Sequence, residues 1–275
     1  MMKNLGWHNE KWQDLDGINL SIRHRGFRFS DGIFETILIK KNKAILLKEH
    51  LSRFNKTLIF LSYKFNLDNE FLSRIINEGI DRLSLKKEEY GSIRINYSRG
   101  LNKDRTLKIY DEYNRFNIDN LWIEFYKINL NLSPISVNIS RTEKRNEYSL
   151  LSKCKTFSYN QSIQALIEAN MNNYDDALIL NTQNELCCGT TFNLLLKRDN
   201  IWLTPREESG CLLGIMVNRL LKLNLAKEEY ILPVFNEKDI LLAINSLSCK
   251  QIKQVNNLKF EGSFDINEFW NHLYI

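Results

Sequence analysis

The sequence predicts an α+β fold in two domains, and three observations carry that expectation. Short β-prone runs alternate with stretches of helical period, as a mixed fold requires. At 275 residues, 43% of them apolar, the chain can fill one large core or two modest ones. Neither GxGxxG nor GxxxxGK[ST] occurs, so the loops of a doubly wound nucleotide-binding sheet are missing.

The elements follow in order. Phe34 to Ile39 is β-prone, and Ala44 to Leu47 is its expected hairpin partner across a Lys-Asn-Lys turn. Leu51, Phe54, Leu58 and Leu61 fall at helical spacing within His50 to Leu61, and Phe71, Ile75, Ile76 and Ile80 repeat the pattern. Ser92 to Tyr97 alternates as a strand and runs into Ser98-Arg99-Gly100; Leu121 to Tyr126 is a further strand. A polar stretch, Ser140 to Tyr148, comes next, and the domain boundary is expected just before it, dividing residues 1–128 from 129–275. Beyond it, Gln161 to Ala169 is helical, with Ile163, Leu166 and Ile167 on one face. Ala177 to Leu180, Phe192 to Lys197, Ile201 to Thr204 and Ile240 to Ile244 are short strands, and Gly214 to Leu223 is a helix.

Composition narrows the function classes. The net charge is +5, but lysines and arginines are interleaved with acids. A nucleic-acid protein concentrates its basic residues, so no nucleic-acid partner is expected. Five cysteines without a CxxC pair and only four histidines give no zinc spacing and no metal. An odd, scattered cysteine set fits a reducing compartment. The N-terminus lacks an apolar signal core, and no run of about twenty apolar residues exists to span a membrane. The expectation is a cytoplasmic protein without a membrane partner.

Four features carry chemistry. Lys155 precedes a helix in Lys-Cys-Lys-Thr-Phe-Ser-Tyr-Asn-Gln. A lysine amine forms Schiff bases once its pKa is lowered; alone, Lys155 reads equally as a solvated lysine, and Lys153 is its plain alternative. Arg53 lies on an amphipathic helix, where a guanidinium fork either clamps a phosphate or faces water. Gly214-Ile215-Met216 opens a helix whose free N–H groups suit an anion. Ser98-Arg99-Gly100 ends a strand at a turn, where an arginine can meet a carboxylate.

Their order along the chain resembles that of the fold type IV pyridoxal 5′-phosphate (PLP) enzymes, the class IV aminotransferase family. That family includes branched-chain and D-amino acid aminotransferases and 4-amino-4-deoxychorismate lyases. Arg25-Gly26-Phe27-Arg28-Phe29-Ser30-Asp31-Gly32-Ile33-Phe34-Glu35-Thr36 resembles its opening motif, and Glu49-His50-Leu51-Ser52-Arg53-Phe54 follows at the usual distance. Lys155 with Tyr159 resembles the Schiff-base motif. Asp175 to Leu180, Gly189-Thr190-Thr191-Phe192-Asn193-Leu194, Thr204-Pro205 and Gly214-Ile215 complete the order.

The resemblance implies a small α/β domain and a larger domain with a barrel-like β core, PLP in the cleft between them, and a homodimer. It implies that Lys155 is catalytic and carries PLP. Arg53, Tyr159, Cys188, Ile215 and Met216 would bind the cofactor, and Arg99, Phe34 and Asn245 the small-molecule substrate, with Arg28 and Arg94 as helpers. One position departs from the pattern: Cys188 stands where the family has the glutamate that pairs with the pyridine nitrogen, and Glu185 lies three residues earlier. A carboxylate there strengthens PLP as an electron sink, and a thiol does so poorly unless ionised. That departure weighs against an efficient aminotransferase, and Gly214-Ile215-Met216, Asn245-Ser246-Leu247 and the Cys187-Cys188 pair resemble the lyases more than the aminotransferases, although lyases with such a pair keep the glutamate just before it. The expected activity is release of pyruvate from 4-amino-4-deoxychorismate to give 4-aminobenzoate, a folate precursor. The alternatives are a D-amino acid or branched-chain aminotransferase and a non-catalytic protein of the same fold.

Overall fold

A computed structural model describes residues 4–274. The chain forms two compact units, one reaching to Leu130 and including Cys154–Ser158, the other comprising Asn131–Lys153 and the chain from Tyr159 onward.

The first unit is built on one antiparallel sheet. Its strands are β1 (Asn4–His8), β2 (Lys11–Asp14), β3 (Gly32–Lys40), β4 (Lys43–Ala44), β5 (Tyr90–Ser98) and β6 (Leu121–Ile128), in the order β2-β1-β6-β5-β3-β4. The helices are α1 (Arg25–Phe29), α2 (Leu47–Phe60) and α3 (Asn69–Leu83). The helical period seen in the sequence is the packing face: Leu51, Phe54 and Leu58 of α2, with Leu72, Ile75, Ile76 and Ile80 of α3, join Ile37, Ile93, Ile123 and Phe125 of the sheet in one core. The hairpin differs from expectation, because Leu46 turns left-handed (φ 52°) and α2 begins at Leu47, leaving β4 two residues long.

The second unit contains a nine-stranded mixed sheet, curled into a half-barrel. Its strands are β7 (Ile135–Arg145), β8 (Asp176–Asn181), β9 (Leu186–Gly189), β10 (Asn193–Arg198), β11 (Ile201–Pro205), β12 (Lys227–Glu229), β13 (Ile240–Ile244), β14 (Cys249–Val255) and β15 (Leu258–Lys259). The order is β12-β11-β10-β13-β14-β7-β8-β9, with β15 on β14. The helices are α4 (Asn160–Met171), α5 (Ile215–Lys222) and α6 (Ile266–His272). Leu178, Leu194, Leu196, Leu241 and Ile252 fill its core.

Two features of this unit depart from the sequence-based expectation. Most of the polar stretch after Ser140 is strand, since β7 runs to Arg145. Its ladder is irregular between Ile139 and Lys144, and there Glu168 of α4 accepts from the amides of Arg141 and Thr142 and from both hydroxyls of Ser140 and Thr142. The carboxylate satisfies donors that the sheet leaves unpaired. On α4 itself the buried stripe is Ser162, Ala165 and Ala169, and Ile163 and Ile167 stay exposed. Small residues let the helix lie close to β7 and β8.

Candidate active site

The residues singled out from sequence fall into two groups, one in each unit.

In the first unit the Lys155 segment runs along β3. The Phe34 amide donates to the Lys155 carbonyl at 3.0 Å, and the Phe157 amide to that of Gly32 at 3.0 Å. Gly32 is required by this close approach, since a Cβ there would lie 2.2 Å from the Phe157 ring. Lys155 is half-buried, with Nζ 4.3 Å from the centroid of Phe34. The same ring meets Arg94, whose Cζ is 3.6 Å from its centroid. One aromatic ring thus meets both an amine and a guanidinium, by the attraction of cations to its quadrupole.

Arg53 projects from α2 onto Glu35 of β3, with Nε and Nη2 donating to the two carboxylate oxygens at 2.7 and 2.8 Å. His50 Nδ1 is 2.7 Å from the same carboxylate. Burial works to raise the Glu35 pKa, but Arg53 and His50 overcome it and hold the carboxyl at about 2. His50 is itself shifted down, chiefly by burial, with Glu35 opposing and Arg53 and Lys155 adding to the shift. A buried, bidentate carboxylate therefore fixes the plane of the guanidinium assigned to the phosphate.

Arg99 does not face a substrate. It is 7% exposed and donates to Asp31 at 3.0 Å, to the Asn114 side chain and to the Leu61 carbonyl. Tyr63 lies 3.8 Å beneath it. Its fork is consumed inside the fold, so the expected carboxylate role is corrected. Arg28 is exposed on α1. Arg94 instead lines a cavity of about 400 Å³ with His24, Asn96, Trp122, Glu124 and Phe157. Its Nε donates to Asn96 at 2.8 Å, and Asn96 donates in turn to Glu124 at 2.9 Å.

In the second unit Gly214 caps α5 and offers no side chain, while Ile215 and Met216, both buried, supply the first amides. A Cβ on Gly214 would lie 2.1 Å from Asn193 Oδ1. Gly214 is therefore required by the close approach of the Asn193 side chain. Tyr159 begins α4. Asn245, expected at the substrate, is held in a turn: Oδ1 accepts from the amides of Leu247 and Ser248 at 2.9 Å, and Nδ2 donates to the Thr191 carbonyl at 3.3 Å. Its carboxamide builds the turn after β13. Glu185 is tied across the β8–β9 turn, accepting from Asn181 Nδ2 at 2.8 Å. Cys188 is half-buried on β9, and the positive charge of Arg145 draws its thiol pKa down.

Sequence reasoning missed three participants. Glu35 had a signal, an acid inside the otherwise apolar Phe-Glu-Thr-Ile-Leu-Ile run. Arg145 had none, because its partners lie on strands and a helix distant in sequence. The Trp122–Glu124 wall of the cavity read only as strand. Among the described residues no group of His, Cys, Asp or Glu can hold a metal ion, and no helix is long and apolar enough to cross a membrane.

Within the first unit, an amine beside an aromatic ring and a guanidinium fixed by a carboxylate are groups that suit an aldehyde and an anion. Comparisons with known proteins give the family and the fold. The family described as amino-transferase class IV matches residues 32–255. A branched-chain-amino-acid aminotransferase-like protein of Arabidopsis thaliana is 24% identical over 84% of this chain, which spans only 40% of that relative. A Legionella pneumophila protein named as a 4-amino-4-deoxychorismate lyase is 23% identical and shares the fold with a TM-score of 0.82, over 94% of this chain and 96% of its own. A Mycobacterium tuberculosis protein described as a hypothetical aminotransferase, in PLP-bound form, is 15% identical with a TM-score of 0.81, over 98% of this chain and 97% of its own.

Proposed function

The chain belongs to the class IV aminotransferase family, and from that premise we propose that it is a PLP-dependent 4-amino-4-deoxychorismate lyase. The cofactor, when bound, supplies a sink for the electrons left as a proton departs from the carbon bearing the amine. This chain's residues do the rest. We assign Lys155 to carry the cofactor, Arg53 and the amides of Ile215 and Met216 to its phosphate, and Tyr159 and Cys188 to its ring. Once released, the Lys155 amine takes the proton from the amine-bearing ring carbon of the substrate, as a general base. Loss of pyruvate then leaves an aromatic ring, 4-aminobenzoate. Arg94, which meets the same aromatic ring as Lys155, is our choice for a substrate carboxylate, and Phe34 sets the spacing of the two.

The observation that carries a lyase over a transaminase is the thiol at position 188. The nearest acid in sequence, Glu185, is committed to Asn181, so no carboxylate is brought to that position from its own strand. Aromatisation supplies driving force that amine exchange lacks, and so asks less of the ring nitrogen. Assembly as a homodimer is part of this reading, and sedimentation checks it.

The test supplies 4-amino-4-deoxychorismate to PLP-loaded protein without a keto acid. Equimolar 4-aminobenzoate and pyruvate, lost in Lys155→Ala, are expected. Amine transfer that requires a keto acid would make the protein an aminotransferase instead. Inactivity in both assays, with PLP bound, would make it a non-catalytic member of the family.

A further inference from the structure

Three of the five cysteines, Cys187, Cys188 and Cys211, form a contact chain that ends on one arginine. The β8–β9 ladder shifts register between Ile179 and Leu180, which leaves Cys187 as the extra residue of a bulge beside Cys188; Cys187 is 1% exposed and Cys188 half-buried. The ladder registers place the arginine. Cys188 is opposite Ile179 of β8, and Asn181, two residues on, is opposite Arg145 of β7. Cys188 and Arg145 therefore share a face of the sheet. The guanidinium is aimed from the other side by α4, with Nη2 2.7 Å from Ser162 Oγ and Nη1 3.2 Å from Gln161 Oε1. Its charge acts on the Cys188 sulfur across that shared face.

We propose that Cys188 stands in the resting protein as a thiolate paired with Arg145, and that this ion pair replaces a carboxylate as the anionic partner of the cofactor's ring nitrogen. The second half rests on the PLP reading above. Arg145 is then a positioning residue, acting through the sulfur.

Every group around the sulfur has an assigned sign. A hydrogen bond from the Cys187 thiol favours the thiolate most, and the Arg145 charge adds to it; burial and the Asp176 carboxylate of β8 oppose it, and the net pKa is lowered. Cys187 keeps its proton, engaged with Cys188 and with Cys211. Cys211 Sγ in turn donates to the Arg206 carbonyl at 3.4 Å. Asp176 is itself pushed up, chiefly by burial, although Thr190 Oγ1 donates to it at 2.7 Å. Tyr159 faces the guanidinium from the start of α4. A neutral thiol would offer a ring N–H only a weak acceptor. A thiolate is a better acceptor than a thiol, yet with its charge offset by the guanidinium it is a weaker partner than a free carboxylate, in keeping with the smaller demand of the lyase reaction; microenvironments of this kind are what lower thiol pKa values.

The test follows alkylation of Cys188 by iodoacetamide against pH, read by peptide mass spectrometry, in apoprotein and PLP-loaded protein, with buried Cys154 as internal comparison. In apoprotein the Cys188 midpoint is expected at least one unit below the ordinary thiol value of about 8.5. Arg145→Met should return it to that value or above, and Arg145→Lys, which keeps charge without the fork, should leave it between. PLP should slow the alkylation about tenfold or more while borohydride traps the cofactor on Lys155. Cys188→Ser should move the pH dependence of the bound cofactor's visible absorbance. A wild-type midpoint at or above the ordinary value, or one unmoved in both arginine variants, overturns the thiolate. Unprotected Cys188 in protein whose cofactor is trapped on Lys155 overturns its role at the ring nitrogen and leaves the PLP reading standing. No adduct on Lys155 overturns that reading itself, and the ring-nitrogen role with it.

Discussion

Arg94, in the middle of β5, and Arg99, just past its end, lie five residues apart and meet different fates. Arg99 follows β5 into a region where the Leu61 carbonyl, Asn114 and Asp31 converge on its nitrogens. Arg94 stays on the sheet face against Phe34. Arg99→Ala is therefore expected to cost about 3 kcal/mol of stability, because it strands buried partners and opens space against Tyr63. It should leave KM nearly unchanged. Arg94→Ala should raise KM on the order of 10- to 100-fold, the worth of one charged hydrogen bond, with bound-cofactor absorbance intact. Chemical denaturation and steady-state kinetics on the two variants separate the roles; a reversed pattern would return Arg99 to the substrate. The motif order made Lys155, Arg53 and Cys188 legible. It did not make Arg99 legible, because what distinguishes a structural arginine is its partners, and Leu61 and Asn114 are distant in sequence.

At the scale of elements, helical period was a reliable guide where a helix has one wet face. α2 and α3 are such helices, and their boundaries fall within a few residues of the expectation. It failed on α4, where alanines and a serine rather than isoleucines face the sheet. The distal part of β7 read only as a polar stretch, because Glu168 and not a hydrophobic neighbour satisfies it. Extended segments held by long-range pairing carry a weaker local signal. The Lys155 segment is the important case. Its geometry depends on Gly32, so Gly32→Ala should displace Phe157 and with it Lys155. The expected cost is about 1–3 kcal/mol from overpacking, with slower borohydride-trappable adduct formation at Lys155. Phe157→Ala alone opens a void, yet combined with Gly32→Ala it should recover part of the loss. A double-mutant cycle measures that coupling, and strictly additive losses would show that Phe157 does not pin the segment.

For the whole molecule, the buried charges set how stability responds to acid. Glu35 ionises at about 2 in the fold against an ordinary 4.5, a depressed pKa whose contribution is full above 4.5 and lost as pH falls toward 2. By linkage that shift is worth about 3 kcal/mol. His50 and His24 are also depressed from 6.5, chiefly by burial. The unfolded chain therefore binds their protons first, and stability starts to fall as pH drops through 6.5. Asp176 acts in the opposite sense, since its raised pKa favours the protonated fold and offsets part of the loss. Unfolding free energy measured from pH 8 to 3 should thus show a shallow decline beginning near 6.5 and a steeper one below 4.5. Glu35→Gln isolates the second step. It should be far less stable than the wild type at neutral pH, because Arg53 and His50 lose the carboxylate that compensates them, and the gap should close steadily below pH 4.5 as the wild-type carboxylate takes up its proton. A gap that stays constant from pH 7 to 3 would mean that Glu35 is not held as a carboxylate by Arg53, and the phosphate assignment of Arg53 would lose the group that fixes its plane.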